Sequence, residues 1–505
     1  MNKIVVLGGG TAGWITALMM QKYFPEKDIT VVESEEIGIL GAGEGTTPDF
    51  VKMLSVLEID ITEIIKYCDG SFKIGITFTN WNGDGNSYFH SFGNCFFDEL
   101  EDEAQKLKNY CVGNGIPIQQ YLMGHHLVNN SRIPFFVNKN DGLLDTHGLF
   151  ALHFNARKLA VYLKTVAESR GVKRVEGRVV KVENNNREEI DHLVLETGQT
   201  VPGDFFFDCS GFARLLIGKH YSTEWISYHD RLPLDTALPF FVPHDNKNLK
   251  PHTEAIAMKY GWCWKIPVKD RYGCGYVYDS EYIDHEQAVA EIKEYFGEEL
   301  TSNPKSFKFK AGMYRDTIVK NCMAVGLSQS FVEPLEATSI WAACINLRHF
   351  AMYRLFDNRT EQMVKMFNES ARRINEQIVN FLYIHYLTKR SDSDFWKEFR
   401  KQNQCPQDIS EFLQFWHDYG LLGDIDMYDM TTATRQINVF AKESWLQVCD
   451  GLGLLNPEIF KKSVDHTSFT QSTADEMQKI LQRKVSQCIP HDFYLEMARN
   501  YNKSS

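Results

Sequence analysis

The sequence predicts an α/β (α+β) fold: a discontinuous strand–helix domain with a docked, mainly helical C-terminal region. Three observations carry that expectation. Residues 3–33 read as strand, glycine turn, helix and strand; two later stretches, 205–218 and 321–347, repeat a strand-to-turn plan; and from about residue 350 the pattern turns helical and aromatic-rich.

The opening module begins with "KIVVL", a buried-strand run from Lys3 to Leu7. Gly8, Gly10 and Gly13 follow as G-x-G-x-x-G, Trp14 to Lys22 has a helical pattern, and "DITVVE" (Asp28 to Glu33) is a second strand. Glu33 closes that strand twenty residues after Gly13. In this setting the glycines permit a tight turn and close backbone approach, so the helix N-terminus can receive a pyrophosphate. Glu33 can then accept hydrogen bonds from ribose hydroxyls. This is a Rossmann-like signature.

Further elements follow in order. The stretch "AVYLKTVAESRGVKRVEGRVVKVENNN" reads as a helix and then a strand pair with a polar hairpin. "FFFDCSGFARLLIG" (Phe205 to Gly218) reads as a buried strand ending at Asp208, a Ser-Gly turn and a helix. Asn321 to Leu347 repeats the plan with a turn at Gly326, a loop holding Pro334 and an apolar helix. Three such modules feeding one nucleotide domain fit a discontinuous FAD fold better than a compact NAD domain. "GWCWKIP" (Gly261 to Pro267) is an extended segment whose two indoles, Trp262 and Trp264, face one side at period-two spacing. The expected organisation is an FAD-binding core over residues 1–350, with inserted strands forming part of a substrate site, and a helical substrate-binding region over 351–505. Segments such as "RRINEQIVNFLYIHYL" carry the helical reading, and no Pro/Gly/Ser linker isolates them.

Composition narrows the class of function. The chain has 505 residues, is 43% hydrophobic and carries a net charge of −12, with no long run of Lys or Arg. Nucleic acid is therefore not an expected partner, because phosphate binding depends on clustered positive charge. No stretch approaches the roughly 20 apolar residues that span a membrane, and the expected location is cytoplasmic. The eleven cysteines form no C-x-x-C pair, which suggests reduced, buried thiols. No His/Cys/Asp cluster has metal-ligand spacing, so no metal is expected.

Several separated motifs, in order, carry a resemblance to the flavin-dependent halogenases of the tryptophan-halogenase type. "GGGTAGW" (Gly8 to Trp14) looks like the family's dinucleotide fingerprint, and "GAGEGTTP" (Gly41 to Pro48) is similar to the segment leading into its flavin strap. "FKIGITFTNW" (Phe72 to Trp81) places Lys73 where the family has an essential lysine. "GWCWKIP" resembles the W-x-W-x-I-P signature, and "FVEPLEATSI" (Phe331 to Ile340) aligns Glu336 with an essential glutamate.

The resemblance implies an enzyme that uses FAD as FADH2, with O2, to oxidise chloride, bromide or iodide to hypohalous acid and halogenate an electron-rich aromatic substrate. It implies FAD contacts from Gly8, Gly10, Thr11, Ala12, Gly13, Glu33, Val179, Leu327 and Ile340, and halide binding at Thr338 and Ser339. Lys73 is expected to hydrogen-bond hypohalous acid or form a haloamine. Glu336 is expected to polarise that species or accept the proton lost from the arenium intermediate. Trp262 and Trp264 become a wall between cofactor and substrate, and His90 and Phe92 of "FHSFG" (Phe89 to Gly93) a sandwich for an aromatic ring. A separate flavin reductase is implied as partner; a homo-oligomer is left open.

Two departures bear on specificity. The family's loop pattern is F-x-x-P-x-x-S-x-G; here Ala337 replaces Ser and Ser339 replaces Gly. In "MYDMTTATRQINVF", Tyr428 is kept, but Asp429 and Arg435 appear where the family clamps an amino acid with Tyr and Glu, and Phe440 stands for Trp. Arginine has no acceptor with which to hold an ammonium group. The expected substrate is therefore an aromatic without an α-amino-acid handle. The competing readings are an FAD-dependent aromatic monooxygenase, which needs neither the Trp pair nor Lys73, and a degenerate flavoprotein kept as a binding module.

Overall fold

The computed structural model describes residues 2–36, 44–92, 101–297, 304–402, 405–420, 439–462 and 469–501. The chain gathers into two units, each assembled from three separated segments: Met1–Gly70, Phe154–Asp235 and Lys308–Glu376 in the first, Ser71–His153, Thr236–Phe307 and Gln377–Ser505 in the second. Strand Thr253–Met258 pairs in parallel with Gly75–Thr79, so two segments distant in sequence share one hydrogen-bonded layer.

In the first unit a six-stranded sheet runs in the order Lys173–Glu176, Asp28–Glu33, Lys3–Leu7, Phe205–Asp208, Cys322–Ala324, Ile318–Val319. The first five run parallel to one another and Ile318–Val319 pairs antiparallel at the edge; the parallel strands' apolar runs suit this, since Ile4, Val5, Val6, Phe205, Phe206 and Phe207 are all buried. Helix Thr11–Tyr23 follows the first strand. Helix Ala156–Ser169 starts at Asn155, whose side chain accepts from the N–H groups of Arg157 and Lys158. The strand pair read from residues 173–184 is not one hairpin. Lys173–Glu176 edges the parallel sheet, whereas Val179–Asn184 pairs antiparallel with Ile190–Leu195 across the polar turn.

The second unit holds most of a seven-stranded sheet. Six of its strands run in the order Thr236–Pro243, Arg271–Tyr278, Gly261–Val268, Thr253–Met258, Gly75–Thr79, Ser87–Ser91. Alternation sends Leu238, Phe240, Ile256, Cys263, Cys274 and Tyr276 to one face, where they pack with Ala288 and Ile292 of helix His285–Phe296. The opposite face carries Trp262, Trp264 and their cross-strand neighbours Ala255, Ala257, Gly275 and Val277. Helical segments from Gln377 onward are stitched to this sheet by specific bonds. Trp396 Nε1 donates to Met258 O at 2.9 Å, and Arg390 Nη1 to Ala257 O at 2.9 Å.

Candidate active site

In the first unit the glycine turn is dictated by close approach. Gly8 has φ 121°, and a Cβ there would collide with the carbonyl of Cys209; one at Gly13 would collide with the carbonyl of Gly8. At Gly10, by contrast, a Cβ would meet nothing within 4 Å. Gly10 is the N-cap of helix Thr11–Tyr23 and supplies no capping side chain, so the helix presents bare N–H groups and a positive end to open space. The buried Thr11 hydroxyl there has no hydrogen-bond partner among the described residues. The turn at Gly326 closes on the same helix, since a Cβ on it would lie 2.9 Å from that of Ala12.

Glu33 lies beside this turn, its Oε2 occupying the space a Gly9 side chain would need. Arg174 Nε donates to Glu33 Oε1 at 2.6 Å and Lys164 Nζ stands 3.4 Å from it. Neither cation was singled out by sequence reasoning, because both come from elements about 130 to 140 residues away. Val179, two residues beyond Gly177, whose N–H donates to Glu33 O at 2.8 Å, packs against the buried cluster that includes Leu7 and Val32. An uncapped helix end, an orphaned hydroxyl and a held carboxylate are what a dinucleotide's pyrophosphate and ribose require, so these residues fit FAD.

The Glu336 loop belongs to the same unit. A 3-10 turn, Pro334–Glu336, ends at Ala337 in the left-handed region (φ 55°, ψ 38°), and helix Thr338–Met352 starts there with no side-chain cap. The N–H groups of its first turn, Thr338, Ser339 and Ile340, therefore form an anion-favouring end. Glu336 and Thr338 are buried; Ser339, Ile340 and Leu327 are half-buried. A second buried carboxylate, Glu333, lies three residues before Glu336 and was not foreseen. The helix is held by Trp341 Nε1, which donates to Asp49 Oδ2 at 3.0 Å, and by Asn346 Nδ2, which donates to Gln329 Oε1 at 3.3 Å.

The second unit carries Lys73, His90, Phe92, Trp262 and Trp264. Lys73 is wholly buried on strand Ser71–Lys73, opposite Ala151 in an antiparallel pair, and its ammonium sits 5.1 Å from the centroid of the Phe92 ring. Phe92 is half-buried and its N–H donates to Ile74 O at 3.0 Å. His90 is buried among rings of its own chain, 5.5 Å from Phe381 and 6.5 Å from Phe440. Phe381 stacks on Phe440 at 3.8 Å and meets Trp445 edge-on at 5.1 Å. Only Phe440 of these had drawn attention in the sequence. Trp262 and Trp264 share a face with centroids 6.2 Å apart; Trp262 is buried and Trp264 half-buried. The Trp264 indole covers Gly275 so closely that a Cβ there would clash with it. Tyr428, Asp429, Arg435, Gly93 and residues 41–43 lie outside the described residues. Among the described residues no cluster of His, Cys, Asp or Glu could hold a metal, and no helix is long and apolar enough to cross a membrane.

The tryptophan halogenase family pattern matches residues 3–468. The tryptophan 6-halogenase SttH of Streptomyces toxytricini is 30% identical over 440 residues, covering 82% of this chain and 84% of its own. Its crystal structure superposes with a TM-score of 0.87 at 27% identity, over 98% of this chain and 99% of the other. The tryptophan 7-halogenase RebH of Lentzea aerocolonigenes is 29% identical over 97% of this chain and 98% of its own. The flavin-dependent halogenase BrvH from Brevundimonas sp. BAL3 has a TM-score of 0.84 at 27% identity, over 99% of both chains.

Proposed function

This chain belongs to the tryptophan halogenase family and is a flavin-dependent halogenase of aromatic substrates; from that premise we propose how its own residues divide the work. FAD held by these residues and reduced by a separate reductase would supply two electrons that, with protons, take one atom of O2 to water, leaving the other atom for transfer to the halide as hypohalous acid. Gly8, Gly10, Thr11, Ala12 and Gly13 hold the pyrophosphate at the helix end, and Glu33, fixed by Arg174 and Lys164, receives the ribose. Val179, Leu327 and Ile340 contribute contacts around the cofactor. The N–H groups of Thr338 and Ser339 hold the halide, favoured by the positive end of an uncapped helix.

Lys73 receives hypohalous acid, either donating a hydrogen bond that raises the electrophilicity of the halogen or, as the neutral amine, giving up a proton and taking the halogen as a haloamine with release of water. Glu336 accepts the proton that leaves the halogenated ring. Trp262 and Trp264 keep the aromatic substrate from the cofactor, and Phe92 offers it a ring face. His90 stands among Phe381 and Phe440, so its contribution is to shape that aromatic region rather than to stack alone. The substrate is a small electron-rich aromatic without an amino-acid handle, a reading supported by Arg435 where an acceptor is needed.

The observation that carries these roles is a wholly buried lysine on a short paired strand, within a family of halogenases. Burying an ammonium is costly, and the fold meets that cost at Lys73 with the Phe92 ring face among its contacts. Lys73→Ala is expected to abolish halogenation while FAD binding and O2 consumption persist. Glu336→Gln is expected to cost on the order of 10² in rate. Full halogenation by Lys73→Ala, with free hypohalite scavenged, contradicts the assignment.

A further inference from the structure

Lys73 is the last residue of a three-residue strand, too short to fix itself. Its neighbours are pinned one by one. The N–H of Ile74 donates to Pro251 O at 2.8 Å, and that of Phe72 donates to His491 Nε2 at 3.1 Å. Ser71 is held by the longest arrangement. Its hydroxyl donates to Pro267 O at 2.6 Å, a carbonyl that can only accept. The one hydroxyl proton is thereby used, so the 3.0 Å contact between Ser71 Oγ and His153 Nδ1 has the imidazole as donor. A neutral imidazole with Nδ1–H leaves Nε2 as an acceptor, and Thr253 Oγ1 lies 2.9 Å from it. Thr253, His153 and Ser71 thus form a one-directional chain, Thr253 O–H to His153 to Ser71 to Pro267, in which all three side chains are buried. Burial, and then the charge of Lys73, hold the His153 imidazole well below its ordinary value, in keeping with the neutral form the chain requires.

We propose that His153 is a positioning residue for Lys73, fastening the lysine's strand through Ser71 to Pro267 at the end of the Trp262–Trp264 strand. The imidazole touches no substrate; it fixes where the ammonium stands relative to the indole-bearing strand. A buried chain with every donor matched has one low-energy arrangement, and dropping one member leaves a buried N–H or O–H unmatched. The proposal rests on the reading of Lys73 as the residue that handles hypohalous acid.

The test compares Ser71→Ala, Thr253→Val and Lys73→Ala in the FAD-loaded enzyme, using bromide and one electron-rich phenol. Three quantities are read: bromide oxidation per FADH2 consumed, brominated phenol per FADH2, and the KM for the phenol. Displacement of a reacting group by about 1 Å costs on the order of 10² in rate. Ser71→Ala is expected to lower kcat for bromination tenfold to a hundredfold with the phenol KM and total bromide oxidation within twofold of wild type. Thr253→Val, acting at the other end of the chain, is expected to fall in the same direction, and the double variant to be no worse than Ser71→Ala alone. Histidine 15N spectra should show His153 as the Nδ1–H tautomer. The proposal is overturned if Ser71→Ala brominates normally while Lys73→Ala does not, or if His153 is the Nε2–H tautomer. Should Ser71→Ala fail to fold, Thr253→Val decides by the same readouts. Normal bromination by Lys73→Ala instead removes the reading of Lys73 on which this rests.

Discussion

Acidification should loosen the second unit through His491, and the size of the effect follows from its surroundings. His491 is fully buried, accepts from the Phe72 N–H at Nε2 and donates from Nδ1 to Leu249 O at 2.8 Å. Burial lowers its pKa from 6.5 to about 4. The unfolded chain therefore binds a proton that the folded chain refuses between those values. The stabilising contribution is fully present above pH 6.5 and is lost as the pH falls toward 4. At pH 5 the unfolded imidazole is protonated about thirtyfold over neutral and the folded one about a tenth, which removes about 2 kcal/mol relative to pH 7. His252, also lowered to about 4 by burial, acts in the same direction. Asp450 opposes it, since burial raises its carboxyl to about 6 and its contribution grows as the pH falls. Comparing wild type with His491→Gln cancels both. Urea unfolding followed by tryptophan fluorescence at pH 7 and pH 5 should show wild type losing about 2 kcal/mol more than the variant. Equal losses in the two proteins would refute the view that a buried neutral imidazole fastens the strand before Lys73.

Three further outcomes follow from the geometry. Gly8→Ala should abolish FAD retention, because its φ of 121° and the Cys209 carbonyl both reject a side chain; undiminished flavin binding in a spectral titration contradicts that placement. Replacing Trp262 and Trp264 together with smaller residues should leave halogenation partly intact and bring hydroxylated by-product. A double variant that halogenates as wild type and hydroxylates nothing assigns the rings to packing. In halide competition with one phenol or indole, bromide or iodide should serve at least as well as chloride. Larger halides are oxidised more easily, and Ala337, lacking the Ser hydroxyl, leaves more room for the resulting hypohalous acid, although the Ser339 side chain works against them; a strong chloride preference contradicts this.

Local chemistry was readable in the sequence where neighbours in the chain are neighbours in space. The turn from Gly8 to Gly13, the strand ending at Glu33 and the indole pair on Gly261–Val268 fall where periodicity and spacing put them. What joins distant segments was not. That the second unit draws Thr253–Met258 and Gly75–Thr79 from distant parts of the chain into one sheet depends on their parallel pairing, which no local pattern encodes. Arg174 and Lys164 around Glu33, Phe381 beneath Phe440, and the chain from Thr253 through His153 to Ser71 are likewise contacts between remote residues. Each side chain alone reads as an ordinary surface cation, helix-core ring or sheet polar residue; its purpose appears only with its partner.

Product identity tests the central claim most directly. The purified protein is incubated with reduced FAD, O2, bromide and an electron-rich phenol or indole, and the products are resolved by mass. Reduced flavin, oxygen and a buried Lys73 predict the mono-brominated aromatic, dependent on bromide and lost in Lys73→Ala. An aromatic carrying one added oxygen in place of bromine, formed equally well without halide, contradicts the account.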